Sequence, residues 1–525
     1  MLETVSRRAF IKGVLAAGAT GAFATIKGAL AAGATGAFAT EAYAVPPAQR
    51  LSAESVVLDV NGRNAKVFRL VDGAGRRGIR LAPGERFRVD LLNRAGVSTI
   101  VHWHGQLPPW TQDGFPWPQT PPIAPGATHA YDYAPIPGTF WMHSHQGLQE
   151  QSLMTAPLIV RSAAEAREDR QEIVLMLHDF SFRAPDELLA GLTGTAPAAI
   201  HAMVRRTEAA PAPAHNAPAP SMSMGGMPMG KMGMNSMPMS SMTPKSMAHG
   251  AGMATDLNDI DYDAFLANDR TLADPEIVRV ERSGRVRLRI INGASASQFW
   301  IDLGALSGHV VATDGHPVCP VASRRFPLAI AQRLDILLDL PATGAFPIFA
   351  QVEGKRHRTG IVLATQGASV FHVADAAKPA PPVDNSLEER LAALRPLPLR
   401  PADLRHRIVL SGGMKPYSWS LNGEYWPHIT PLMLERGQRV EIDLVNHSMM
   451  AHPMHLHGHA FQVIAVNGTP IRGAVRDTVL VTPMMGSVRI AFDADNPGRW
   501  AFHCHNLYHM MTGMMTEFRY RGIPA

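Results

Sequence analysis

A chain of 525 residues, 46% of them hydrophobic, is long enough for two to four domains that each bury a core. A formal charge of +5, with no block of roughly five or six like charges, argues against a nucleic-acid partner or a polybasic membrane surface. Only two cysteines are present, Cys319 and Cys504, which excludes a disulfide framework.

Residues 1–44 read as an export signal: Ser6-Arg7-Arg8-Ala9-Phe10-Ile11-Lys12 precedes an Ala/Gly-rich stretch that ends in Ala42-Tyr43-Ala44. The pattern resembles a twin-arginine signal cleaved before Val45, which predicts a periplasmic protein. Removing it takes away four basic and two acidic residues and leaves a charge of +3. Residues 11–25 recur almost unchanged at 26–40, a duplication with no evident function. No later segment is long and apolar enough to span a membrane, so no membrane association is expected after cleavage.

Beyond residue 45, short alternating runs bounded by Gly, Pro or Asn predict an all-β fold of sandwich strands. They include ERFRVDLLN (85–93), RVRLRIING (285–293), RLDILLDL (333–340) and QRVEIDLVN (438–446). Three of them close on an asparagine, at 93, 292 and 446, which predicts three similar domains with an insertion in the middle one. The boundaries are 45–165, 166–375 with the insertion at about 200–255, a Pro-rich linker at 376–402, and 403–525.

The first domain carries His102 and His104 in HWHG, Asp113 in PPWTQDGFPW, and His143 and His145 in WMHSHQG. Within the insertion stand Met222, Met224, Met227, Met229, Met232, Met234, Met237, Met239, Met242, Met247 and Met253, eleven of the chain's 27 methionines. They are separated by Gly, Ser and Pro, a composition that cannot build a packed core and reads as flexible. Cys319 is expected as a small buried residue, and the lone His309, His316 and His357 lack ligand spacing. The last domain carries His452, His455 and His457 in AHPMHLHGH, and His503-Cys504-His505 followed by His509 and Met514.

One His-x-His pair is weak evidence of a metal site, but four pairs can present eight imidazoles from four segments, which suits a cluster of several coppers. On a strand Cys504 points away from its flanking histidines, so its thiolate can serve one metal while they serve another. Cys504, His509, Met514 and a further histidine, supplied by His452, make the two-His, one-Cys, weak-Met set of a blue-copper centre. A closed zinc site needs four ligands and has no use for an axial methionine.

With these motifs in this order, essentially the whole mature chain resembles the three-domain branch of the multicopper oxidase family, nearest its copper-resistance and cuprous-oxidase group. The resemblance implies consecutive cupredoxin-like Greek-key domains and four copper ions. It assigns His452, Cys504, His509 and Met514 to a type 1 copper, and His102 and His455 to a type 2 copper. His104, His143 and His505 fall to one type 3 copper, and His145, His457 and His503 to the other. It also makes Asp113 a proton relay near the type 2 copper, with no second carboxylate in the HCH segment, where Asn506, Leu507 and Tyr508 stand.

The reaction implied is four one-electron oxidations coupled to reduction of dioxygen to two waters. A methionine axial ligand lowers the copper's potential relative to an apolar residue and favours easily oxidised donors, and thioethers in the insertion select Cu(I). Cu(I) is therefore the expected donor, a small phenol or aromatic amine (laccase chemistry) the alternative, and copper sequestration without turnover a third reading. Met449, Met450, Met484, Met485, Met510, Met511 and Met515 are expected mainly in core packing, or as an extension of a Cu(I) path. Asp477 is expected either near the type 1 edge or in a structural hydrogen bond. No oligomeric state is read from the chain.

Overall fold

In a computed structural model the chain is described over residues 47–524, apart from 197, 201–256 and 342. The export-signal reading and the eleven insertion methionines therefore lie outside the described residues.

The described chain is built from six sheets in three pairs, each enclosing a core. In the first pair one sheet runs Arg63–Asp72, Gln49–Val60, Phe87–Arg94, Thr128–Tyr133. Its partner runs Ile79–Leu81, Thr155–Val160, Gly138–Ser144, Val101–His102. Between them pack Leu51, Leu70, Phe87, Trp103, Phe140 and Leu158, all essentially removed from water. Six- and five-stranded sheets make the middle sandwich, and seven- and five-stranded sheets the last.

Each sandwich opens with a strand that lies parallel to the one closing on asparagine. Gln49–Val60 lies along Phe87–Arg94, Gln171–Phe180 along Arg285–Asn292, and Leu404–Met414 along Arg439–Asn446. A tight hairpin cannot join parallel neighbours, so the chain crosses over between them, as a Greek key requires.

The three asparagines share one job. Asn93 accepts from Ala95 N–H and donates to the carbonyls of Val97 and Ile123, both at 2.8 Å. Asn292 accepts from Ala294 N–H and donates to Ser297 (3.0 Å) and Leu328 (3.4 Å). Asn446 accepts from Ser448 N–H and donates to Met450 (2.7 Å) and Val481 (3.1 Å). Each one closes the turn after its strand and ties it to a second segment of the chain; in the last sandwich that turn leads into His452.

Two short ladders carry the histidines. Val101–His102 pairs with Gly138–Ser144, setting His102 opposite His143. His452–Leu456 pairs with Arg499–Cys504, setting His455 opposite His503 and Met454 opposite Cys504.

Cys319 departs from expectation: it is exposed. It lies on His316–Ser323, an edge strand of the middle sandwich, where Val318 and Val321 take the inward places. Among the described residues no helix is long and apolar enough to cross a membrane.

Candidate metal centre

All eight histidines of the four pairs meet in one buried cluster. In each pair the first imidazole stands on a strand and the second just beyond the strand's end, so the pairs straddle strand termini instead of lying within strands. His102 stacks on His457 with centroids 3.8 Å apart, and His104 on His455 at 3.7 Å.

Three buried carboxylates each clasp one imidazole from the first sandwich and one from the last. Asp113 lies 3.2 Å from His102 Nδ1 and 2.7 Å from His457 Nδ1. Glu150 lies 2.7 Å from His143 Nδ1 and 3.8 Å from His505 Nδ1. Asp477 lies 3.0 Å from His104 Nε2 and 3.6 Å from His455 Nδ1.

These partners fix the tautomers. A neutral imidazole whose Nδ1–H faces an oxygen keeps its lone pair on Nε2. His102 Nδ1 donates to the Asp113 carbonyl, His455 Nδ1 to the Asp477 carbonyl, and His503 Nδ1 to the Cys504 carbonyl. The Nε2 atoms then meet in pairs: His102 and His455 at 3.4 Å, His457 and His503 at 3.0 Å, His143 and His505 at 3.3 Å. Lone pair facing lone pair is repulsive, and a cation between them removes the conflict. His104 is the inverse case: its Nε2 is taken by Asp477 and Thr478, and its Nδ1 is buried without a partner, as is His145 Nε2.

Protonation cannot relieve the crowding. Burial, and then repulsion among the imidazoles, holds the pKa values of His104, His143, His145, His455, His457 and His505 well below the ordinary 6.5. Burial likewise lowers His503 to about 4. The donor set fits several metal ions that prefer imidazole.

A second group lies across the same strand. Cys504 Sγ is 3.7 Å from both His452 Nδ1 and His509 Nδ1, which are 3.1 Å from each other. Both histidines have Nε2 engaged, His452 with Ser448 Oγ (2.7 Å) and His509 beside Asp259 (3.2 Å), which frees Nδ1 toward the sulfur. Burial pushes the Cys504 thiol up, so only a bound metal would hold it as thiolate. Met514 is fully buried; its N–H donates to His509 O, and its carbonyl accepts from Cys504 N–H, each at 3.0 Å. Trp419 stacks on His509 at 4.1 Å and Trp141 on His143 at 4.4 Å.

Asn506 explains the residues after HCH: its side chain caps the helix Leu507–Met511, accepting from Tyr508 N–H and His509 N–H, and it donates to Asp259. The cap sets the angle at which His509 returns to Cys504.

Asp259 and Glu150 escaped the sequence reading. Glu150 belongs to QGLQEQ, and the burial of Gln146, Gln149, Glu150 and Gln151 directly after His145 is the signal that polar pattern carried. Burial, with Asp179 adding to it, raises the Glu150 pKa well above the carboxylate range. Of the two roles expected of Asp477 the hydrogen-bonding one holds: it lies in the eight-histidine cluster, bonded to His104 and Arg333, and Asp259 is the carboxylate beside the Cys504 site. Of the methionines expected in packing, Met450 and Met515 are buried, but Met449, Met484 and Met485 are 53%, 60% and 61% exposed. None of the contacts above involves His309, His316 or His357.

Three multicopper oxidase family models match, at residues 70–165, 236–375 and 399–522. Multicopper oxidase MmcO of Mycobacterium tuberculosis is 32% identical over 84% of this chain and 81% of its own length. Copper resistance protein A of Escherichia coli is 24% identical over 99% of this chain and all of its own. The crystal structure of Fet3p, a multicopper oxidase that functions in iron import, matches with TM-score 0.68 at 18% identity, covering 90% of each chain, a likeness of fold. The three family models and the MmcO match together show the family: the chain belongs to the multicopper oxidase family, an oxidoreductase with copper as its cofactor.

Proposed function

We propose that this chain is an exported, periplasmic multicopper oxidase that takes electrons singly from Cu(I) at the Cys504 site and passes them to dioxygen at the histidine cluster. Each dioxygen then consumes four electrons and four protons and leaves as two waters. His452, Cys504, His509 and Met514 would hold the type 1 copper, and His102 and His455 the type 2 copper. His104, His143 and His505 would hold one type 3 copper, and His145, His457 and His503 the other. Copper supplies the redox chemistry that no side chain here provides.

The observation that carries the reading is the placement of His503-Cys504-His505. The sulfur faces His452 and His509, while His503 Nε2 meets His457 and His505 Nε2 meets His143. Electron entry and dioxygen reduction are thus joined by one tripeptide, yet kept apart by the two faces of a strand. Asp113, held against His102 and His457, is the proton relay in this reading.

Cu(I) is favoured as donor by soft ligands at the entry site. Met449 directly follows Ser448, which bonds His452, and Asn446 lies on the same turn. This turn is tied to the next loop by Met484 N–H to Ser448 O (3.0 Å) and Met485 N–H to Asn446 O (2.8 Å). Met484 and Met485 adopt left-handed backbone (φ 55° and 69°), uncommon for such side chains, and both residues are exposed. Asp259, beside His509, follows the Met-rich insertion by a few residues.

Oxygen uptake with Cu(I), Fe(II) and a phenol, in the full chain and in a deletion of residues 221–253, tests this. The reading predicts Cu(I) as best donor and slower Cu(I) oxidation in the deletion. Unchanged Cu(I) kinetics would remove the insertion from the account, and a phenol preference undiminished by added copper would make the protein a laccase.

A further inference from the structure

Among the described residues the middle sandwich gives no histidine to either group, but it does reach the cluster. Arg333, at the start of the strand Arg333–Asp339, is fully buried and grips both carboxylate oxygens of Asp477: Nη1 donates to Oδ1 at 2.8 Å and Nη2 donates to Oδ2. The same Oδ1 receives His104 Nε2 at 3.0 Å and Thr478 Oγ at 2.9 Å. Arg333 is itself held from behind, since its N–H donates to Asp314 Oδ1 (2.8 Å), whose Oδ2 accepts from Arg476 (3.1 Å), which in turn pairs with Glu388 (2.7 Å). All five charged side chains are buried. Gly105, directly after His104, leaves the room: at φ +85° a Cβ there would sit 2.4 Å from Asp477 Oδ2 and 2.6 Å from Arg333 Nη2.

We infer that Arg333 is a positioning residue through which the middle sandwich governs loading of the cluster: by fixing Asp477 it fixes His104 as the Nε2–H tautomer with its Nδ1 lone pair turned inward. Among the imidazoles of the eight-histidine cluster whose nitrogens can be sorted by partner, His104 alone presents Nδ1. A rotation of Asp477 would therefore let it flip its proton and offer the wrong nitrogen. A carboxylate bound only by a hydroxyl and an imidazole could rotate; one held in a bidentate guanidinium fork cannot. The chain of contacts spans all three sandwiches, so a cluster with histidines from the first and last becomes sensitive to docking of the one between. The inference rests on the cluster reading given under Proposed function.

Copper titration of metal-free wild type, Arg333→Gln and Arg333→Lys tests it, with the blue band as an internal measure of the Cys504 site and metal content as the measure of the cluster. Wild type without a blue band would sink the copper assignments themselves, independently of Arg333. Given that band, Arg333→Gln is expected to keep it while binding the cluster coppers about 10–100-fold more weakly, the usual cost of an outer partner. Arg333→Lys, which keeps the charge and loses the fork, should fall between. Selective ¹⁵N-histidine spectra of the metal-free chain should show His104 protonated at Nε2 in wild type and losing that preference in Asp477→Asn. Unchanged cluster affinity in both Arg333 variants, equal loss of blue band and cluster copper, or a His104 tautomer indifferent to Asp477 would each overturn the inference. If Arg333→Gln does not fold, the Arg333→Lys titration and the Asp477→Asn spectra decide it.

Discussion

At the scale of single residues the centre is an exercise in matching each ring nitrogen to a partner. Cys504 is the residue on which both sites depend, so Cys504→Ser should abolish the blue band and lower turnover by more than the roughly 10–100-fold expected of an outer partner, while the eight cluster imidazoles keep their places. Visible spectroscopy and oxygen uptake check this, and a retained blue band would refute the ligand assignment. Asp113→Asn keeps the shape of the clasp on His102 and His457 but removes the carboxylate. It is expected to reduce kcat on the order of 100-fold with the blue band intact, and full activity in that variant would strike Asp113 from the mechanism. The ligands could be read from spacing because His-x-His and His-Cys-His encode their geometry locally. Glu150, Asp259 and Arg333 could not, because a carboxylate or guanidinium shows its role only when another segment is folded against it. Asp477 takes the hydrogen-bonding one of its two expected roles, and Cys319, expected in a core, lies on an edge strand that turns it outward.

At the scale of elements, the repeated strand ending in asparagine is the unit from which the three sandwiches are made, and it was visible as ERFRVDLLN, RVRLRIING and QRVEIDLVN. Alternation gave the strands; it could not give their parallel neighbours or say which sheets face each other, since those depend on contacts far apart in sequence. The asparagines allow a controlled comparison. Asn446→Ala and Asn292→Ala each remove buried hydrogen bonds and should cost about 2–4 kcal/mol, measured by denaturant unfolding. Only Asn446→Ala should also shift the visible spectrum, because only its turn leads into His452. Equal spectral effects from both would show that the turn does not set the copper site.

At the scale of the whole molecule, a family of buried neutral histidines ties stability to pH. His459 and His503 have pKa values lowered to about 4, and His178 to about 3, in each case mainly by burial. The unfolded chain takes up protons below 6.5 that the folded chain refuses, so stability is complete above that pH and declines as pH falls from 6.5 toward 4. The loss is on the order of 3 kcal/mol per group at most. The Tm of the metal-free protein, followed from about pH 8 to pH 4, should fall through that window, and a flat profile would contradict the burial argument. Copper should raise Tm at neutral pH, because binding to the folded chain alone stabilises it. The central claim is that one cysteine joins a blue electron-entry copper to a histidine-held cluster. It is tested most directly by the copper content and visible spectrum of the purified protein. Four coppers per chain with an intense blue band are predicted, and a protein active with dioxygen that lacks the blue band would contradict it.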